Sequence, residues 1–541
     1  MPGEAVFYDL ADGAMVVEYQ ERSDEEANRD AVTLARALMS SATPGLYDAI
    51  PGARTLFLVF DPRRLSSDRL KREILSGPAG LSSIGSQRKI SIGVAYGGEM
   101  GPDLEDLARS CGLTSEEFSR RHSEGDYTVA FLGFAPGFAY LTGLDPALHA
   151  RRLPAPRPRV PAGSVAIGGP YTGVYPSPTP GGWRLIGRSA IRLFDEEGEP
   201  PNLLRPGDRV RFEPMGRAEL ERLQQEIAAA SSRSDTSPGG RPIFRIVKPG
   251  LFTSVQGAPC FGRGGSGLPP GGAMDEGALA SGNSRLGNSI GAAALEITLL
   301  GPELEAMSEV RVCLQGDVAV EHNGAAVEPG SVLRLAAGDR LRCGPVRGAA
   351  RACLCVEGGV MATGRLGLTR PLEAGQILMA ARREPSARGG LDAPGQEVSE
   401  EIGGDTRTKE EEESPVRVVL DPRRERFFEA PAIEQFLTSS FRVSSMSDRR
   451  GIRLEGTPLP ASGSSEMPPE GTALGTIQVP AGGQPILLGP DRPITGGYAR
   501  LGTVISADWA RLARIPPGRT VRFAAATLAE ALEARSSIWR L

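Results

Sequence analysis

Lysine is nearly absent from this chain. Only Lys71, Lys89, Lys248 and Lys409 occur among 541 residues, so arginine supplies almost all of the 61 basic side chains. None of the four follows a Gly-x-x-x-x-Gly pattern, which excludes a Walker A phosphate loop. None sits between methionines, so no covalent biotin is expected on this chain. Histidine is as scarce: His122, His149 and His322 are too few for a His-rich metal centre, and no metal site is expected. The six cysteines, Cys111, Cys260, Cys313, Cys343, Cys353 and Cys355, include no Cys-x-x-Cys pair and are too sparse for a disulfide framework. No apolar run reaches the ~18 residues of a membrane span. The first residues, MPGEAVFYDLADGAM, carry acids where a signal peptide has bases before an apolar core. A net charge of −5 offers no broad nucleic-acid surface. These absences leave a reduced, cytoplasmic protein as the expectation.

Glycine and proline are abundant. The 69 glycines and 45 prolines make up about a fifth of the chain, against about an eighth in ordinary proteins. Both break helices, so the fold class expected is mainly β. Residues 14–96 read as a small α/β unit: a strand at 15–19, helices at 27–39 and 67–75, an apolar strand at 55–60 and a closing strand at 90–96. From Tyr127 to Phe212, short apolar runs alternate with Gly and Pro clusters, the habit of a barrel or sandwich. The organisation expected is a small α/β domain at 1–92, a β-barrel domain at 93–225 and a polar linker at 226–243. A β domain at 244–383, a disordered acidic insertion at 384–415 and a second β domain at 416–541 follow.

An internal echo ties the first and last β blocks. Gly163-Ser164-Val165, Thr179-Pro180-Gly181-Gly182-Trp183, Ile186-Gly187 and Val210-Arg211-Phe212 occur in that order in one. Gly475-Thr476-Ile477, Ile494-Thr495-Gly496-Gly497-Tyr498, Leu501-Gly502 and Val521-Arg522-Phe523 occur in the same order in the other. Fixed-order recurrence suggests two copies of one fold.

Several segments suit ligands. FLGFAPGFAYLTGL (131–144) reads either as a tight ligand-facing loop or as a buried aromatic hairpin. RRLPAPRPR (151–159) places Arg157 and Arg159 on a Pro-stiffened segment, as carboxylate- or phosphate-binding forks or as a solvated basic loop. Ser164, Thr172, Tyr175 and Trp183 could orient a small polar ligand, or each could be structural. His122 is either a surface residue or a general acid or base. In the second half, Asp275, Asn283 and Glu296 could form a polar cluster, with helix capping the simpler role for Asp275. Asp448 and Arg449 are dense enough in charge for a site or for a structural ion pair.

Family resemblance then adds what spacing cannot. Tyr96-Gly97-Gly98-Glu99, His122-Ser123, FLGFAPGFAYLTGL and VPAGSVAIGGPYTGVYPSPTPGGWRLIGRS resemble the family of allophanate hydrolase subunit 1 and KipI, associated with the B component of prokaryotic 5-oxoprolinase. GLPPGGAMDEGALASGNSRLGN, SDRRGIRLEG and GTIQVPAGGQPILLGPDRPITGGY resemble its partner family of allophanate hydrolase subunit 2, KipA and the C component of 5-oxoprolinase, which is carboxyltransferase-like. The chain thus resembles a fusion of the two. The resemblance implies cyclophilin-like β-barrel domains in both halves. It implies ATP-dependent hydrolysis of 5-oxo-L-proline to L-glutamate, with ATP and Mg2+ used in a complex with the LamB/YcsF-type A component of 5-oxoprolinase. It implies catalytic roles for His122, Asp275, Glu296 and Asp448. It also implies substrate binding by Arg157, Arg159, Ser164, Thr172, Tyr175, Trp183, Asn283 and Arg449. A biotin-dependent carboxyltransferase and a KipI-like sensor-kinase inhibitor are the alternatives within the same resemblance. One departure stands out: the family's Gln-Asp-x-Gly-Arg becomes Gln256-Gly257-Ala258-Pro259-Cys260.

Overall fold

The computed structural model describes residues 5–77, 88–231, 240–362, 364, 366–381, 414–460, 462 and 466–538. Nearly all of the expected acidic insertion, and positions 232–239 of the expected linker, lie outside the described residues.

The N-terminal unit is a four-stranded antiparallel sheet, in spatial order Ala5–Ala11, Ala14–Tyr19, Thr55–Phe60 and Leu46–Pro51. The helix Asp24–Ser40 starts at a capping box between Ser23 and Glu26. Its Ala27, Ala31, Leu34, Ala35 and Leu38 cover one face of the sheet together with the helix Ser67–Ser76. The other face is covered as well: Leu10, Ala14, Val16, Ile50 and Phe57 pack on Ala473 and Ile494 from the last β block. Burial on both faces explains why Thr55–Phe60 reads TLFLVF, without alternation.

The strand Lys89–Tyr96, expected to close this unit, is instead a stave of the next one, bonded in parallel to Arg209–Pro214. The N-terminal sheet is completed by Ala5–Ala11 and Leu46–Pro51. The second of these was hidden in the sequence because LYDAIP carries an aspartate and a proline. The staves Lys89–Tyr96, Tyr127–Leu132, Ala139–Thr142, Ser164–Gly168, Tyr171–Val174, Arg184–Arg188 and Arg209–Pro214 close into a barrel. Ile92, Val94, Leu141, Val165, Ile167, Ile186 and Phe212 are among the side chains that fill it. On its outer wall Phe131, Phe138, Tyr140, Tyr171, Tyr175 and Trp183 form a second, aromatic core. A separate two-stranded sheet, Arg157–Val160 with Thr179–Gly181, sits over that core, its strands joined through the staves Ser164–Gly168 and Tyr171–Val174.

The middle block is two packed sheets of six and five strands around one core. The helix Glu276–Leu286 lies over Cys313, Cys353 and Cys355 on the outside of the smaller sheet. In the last block the sheet path begins at Thr520–Val521 and ends at Phe523–Ala525, so a single residue separates its ends and it almost closes. Here Val416–Leu420 pairs in parallel with Phe523–Ala525, as Lys89–Tyr96 does with Arg209–Pro214. The Val-Arg-Phe echo therefore marks the same closing element in both barrels. No helix among the described residues is long and apolar enough to cross a membrane.

The blocks meet along tight seams. Ala53 N–H donates to Pro469 O at 2.8 Å, and Asn28 Nδ2 bridges Gly52 O (2.7 Å) and Ala130 O (3.1 Å). Gly133, in the FLGFAP loop, faces Thr495 so closely that an added Cβ would lie 2.7 Å from that residue's Cβ. Gly133→Ala is therefore expected to force the first barrel off the last block at a cost of about 1–3 kcal/mol. A urea midpoint equal to that of the parent chain would rule this out.

Candidate functional site

Arg351 is the only charge in a strand that otherwise reads ACLCV. It is fully buried. Its Nη1 donates to Ala513 O at 2.5 Å, while its Nε has no hydrogen-bond partner and lies 3.9 Å from Glu296 Oε1. Burial pulls its pKa below the usual range, opposed by the nearby carboxylates. The charges it feels are those of Glu296, Arg449, Asp275 and Asp448. The structure thus sets Asp275, Glu296 and Arg449 around another charge, which sequence reading passed over, and leaves Asp448 exposed.

Each neighbour is held by the fold. Glu296, in the central strand Ala294–Thr298, accepts from Met274 N–H at 2.6 Å and from Arg449 Nη1 at 2.5 Å. Arg449 also donates to Asp491 (Nε, 2.8 Å), Gln256 Oε1 (3.1 Å) and Gly272 O (2.6 Å). Burial would lower its pKa, but Glu296 and Asp491 outweigh that and raise it well above the ordinary guanidinium value. With its donors committed, Arg449 positions Glu296 rather than reaching a ligand. Asp275 caps the helix Glu276–Leu286 through Ala278 N–H (3.0 Å) and is ion-paired to Arg514. Asp275, Glu296, Arg351 and Cys353 line an enclosed cavity of ≈ 10 Å³, about the least that holds one water. Two carboxylates and an unpartnered N–H around such a space can fix and polarise a water.

Asp448 and Asn283 have local partners. Asp448 Oδ1 accepts from Arg450 N–H (2.8 Å) and Gly451 N–H (3.1 Å), bracing an exposed turn. Asn283 ties the loop after its helix, donating to Ala292 O at 2.8 Å and accepting from Asn288 Nδ2 at 2.9 Å.

The first-half residues fall into three places. His122 is wholly buried inside the barrel, its Nδ1 2.8 Å from Tyr96 Oη and its Nε2 2.9 Å from Thr172 Oγ1. Burial pushes its pKa down to about 3. This is the geometry of a core histidine, neutral at ordinary pH, and Thr172 is its partner. Arg159 is exposed on the two-stranded sheet. Arg157, Ser164, Tyr175 and Trp183 come together between that sheet and the outer wall. Arg157 Nη2 donates to Asp103 Oδ1 at 2.7 Å, and Asp103 Oδ2 accepts from Leu185 N–H at 2.6 Å. Ser164 Oγ is buried without a partner, and burial pushes the Tyr175 hydroxyl up to about 12.

Where the two halves touch, Asp48 clasps the segment leading to Asp275. Its carboxylate accepts from Gly264 N–H (2.7 Å) and Gly262 N–H (3.1 Å), and Tyr47 stacks on Phe261 at 4.5 Å. Burial raises its pKa to about 6, against a pull downward from those N–H groups and from Arg492. A carboxyl raised on folding stabilises below its unfolded value of 3.8 and loses that contribution as pH rises through 6. From pH 4 to pH 7 the parent chain should therefore lose about 2 kcal/mol relative to Asp48→Asn. Urea midpoints of both chains at the two pH values measure this, and a constant difference between them would reject it.

Gln256, Asp491, Arg514 and Arg351 are the site residues that sequence reading missed. The one available signal was Arg351, a solitary charge in a buried strand. Among the described residues no three His, Cys, Asp or Glu side chains converge as a metal-ligand group. Asp275 and Glu296 are each committed to an arginine, Arg514 and Arg449, which does not suit a Mg2+ site at this pair.

Comparison with known proteins agrees with this division. Residues 5–204 match the carboxyltransferase domain, subdomain C and D, and residues 266–525 match subdomain A and B. The B component of the Bacillus subtilis 5-oxoprolinase is 38% identical over 229 residues, 40% of this chain and 95% of that protein. The C component of the Escherichia coli 5-oxoprolinase is 32% identical over 306 residues, 54% of this chain and 94% of that protein. The crystal structure of TTHA0988 superposes with a TM-score of 0.76 at 33% identity, over 94% of this chain and 99% of the other.

Proposed function

Since this chain belongs to the families of the B and C components of 5-oxoprolinase and joins the two in one polypeptide, we propose that it is the fused B and C portion of an ATP-dependent 5-oxoprolinase. It works with a separate LamB/YcsF-type A component to hydrolyse 5-oxo-L-proline to L-glutamate. A lactam is a poor electrophile. Phosphorylation of its oxygen by ATP, with Mg2+ in the complex, makes the carbonyl carbon open to water; the ring nitrogen leaves to give an acyl phosphate, and a second water releases phosphate and L-glutamate.

The observation that carries the reading on this chain is the enclosed space shared by Asp275, Glu296 and Arg351. In it Glu296 and Asp275 hold a water and take up its proton, and Arg351 supplies a donor in a low-dielectric setting where charge counts most. Arg449 holds Glu296 in place. Glutamate release from 5-oxo-L-proline and ATP, measured with the chain and a co-expressed LamB/YcsF-type partner, tests this. Asp275→Asn and Glu296→Gln are each expected to lower kcat by about 10²–10⁴. No turnover from a verified complex sinks the proposal.

The match to a carboxyltransferase domain favours a second reading, carboxyl transfer from a biotin carrier supplied by another protein. Carboxyl uptake from a carboxybiotin donor would support it, and failure with every donor would remove it.

A further inference from the structure

Four buried polar atoms around the two-stranded sheet Arg157–Val160/Thr179–Gly181 have no hydrogen-bond partner: Arg157 Nη1, Ser164 Oγ, Thr179 Oγ1 and Arg188 Nε. Their placement is not scattered. Ser164 and Arg188 are cross-strand partners on the barrel wall. Thr179 pairs with Val160 in that sheet, and Val160 packs in one core with Ala166 and Leu185 of the wall. Arg157 is tied to the same wall through Asp103, which also accepts from Leu185 N–H.

Each of the four can donate a hydrogen bond, and none is a carboxylate oxygen. The one carboxylate among them, Asp103, has both oxygens engaged. Buried donors without acceptors are costly unless something supplies the acceptor. Two guanidinium edges and two hydroxyls match the paired oxygens of a carboxylate.

The cover is a two-stranded sheet of its own, with no strand ladder to the barrel, and its strands run on into the staves Ser164–Gly168 and Arg184–Arg188.

We infer that the strands Arg157–Val160 and Thr179–Gly181 cover a binding site for a small carboxylate, formed by Arg157, Ser164, Thr179 and Arg188. The site is separate from the water-sized space beside Arg351, whose lining shares no residue with it. It rests on the 5-oxoprolinase reading only for its choice of ligands, 5-oxo-L-proline and L-glutamate.

Titration of the full chain by calorimetry with 5-oxo-L-proline, L-glutamate and the uncharged lactam 2-pyrrolidinone tests the site. The carboxylates are expected to bind and 2-pyrrolidinone not to. Arg188→Gln should weaken carboxylate binding about tenfold or more, and Ser164→Ala and Thr179→Val about fivefold each. The last two exchange an unpartnered hydroxyl for hydrogen or methyl, so their Tm should hold or rise, and lost binding cannot then be unfolding. The site is overturned if the chain binds neither carboxylate. It is equally overturned if 2-pyrrolidinone binds as well as 5-oxo-L-proline, or if all three variants bind carboxylate like the parent. Turnover with the LamB/YcsF-type partner separates the two ideas. An unchanged KM for 5-oxo-L-proline in Arg188→Gln removes the carboxylate site and leaves the enzyme reading. No turnover, with carboxylate binding that depends on Arg188, removes the enzyme reading and leaves the site.

Discussion

Replacing Arg449 by methionine is expected to lower stability by about 3–5 kcal/mol, because it strands two buried carboxylates. Glu296 and Asp491 both depend on this guanidinium, with Arg449 distances of 2.5 and 2.8 Å, and neither side chain has much access to water. Methionine fills much of the volume, so the loss is electrostatic rather than a cavity effect. The thermal midpoint of the second half should fall by on the order of 10 °C. The triple exchange Arg449→Met, Glu296→Gln, Asp491→Asn should recover much of that, since no charge is then left unpaired. Activity should not recover, because Glu296 is gone as a base. A single exchange costing under about 1 kcal/mol would contradict the account.

The second large effect is expected at Glu470. This residue is 1% exposed and serves two arginines, Arg423 (2.8 and 3.0 Å) and Arg500 (2.5 Å). Burial raises its pKa, but Arg500 and Arg423 more than offset this and leave it lowered. Glu470→Gln leaves both guanidiniums short of charge and should cost about 3–5 kcal/mol at pH 7. A carboxyl lowered on folding contributes above its unfolded value of 4.5 and loses that contribution as pH falls through the folded value. The gap between parent and variant should therefore narrow in acid. The damage should also spread across the seam. Arg500 lies over the Phe57 ring (5.5 Å) and Arg423 over Tyr8 (5.2 Å), both in the N-terminal sheet. Amide exchange in Ala5–Ala11 and Thr55–Phe60 should accelerate in the variant. Unchanged protection there would show that the network does not hold the N-terminal sheet.

Local patterns in the sequence were enough for the helices Asp24–Ser40 and Ser67–Ser76, because each buries one stripe and starts at a serine cap. They were also enough for the two related barrels, since the Val-Arg-Phe strands close both. They were not enough for Leu46–Pro51 or for the membership of Lys89–Tyr96, which long-range pairing decides. The same holds at the site. Asp275, Glu296 and Arg449 stood in dense polar motifs and could be nominated. Arg351 could not be placed with them, because its partners Ala513 and Glu296 are far away in sequence. His122 read as a surface residue or as an acid or base, and only the closed barrel shows that its polar edge is met by Tyr96 and Thr172.

The seam between the halves has a further consequence for assembly. It is built from backbone contacts such as Ala53 to Pro469 and from Asp48 reaching Gly262 and Gly264. In relatives that carry the halves as two proteins, such a contact forms by collision and weakens on dilution. Here one chain carries both partners, so each meets the other at an effective concentration of about millimolar, whatever the abundance of the protein. Strict one-to-one stoichiometry follows, and the seam can afford buried charge and close glycine contacts that a freely dissociating pair would have to offset with added apolar area.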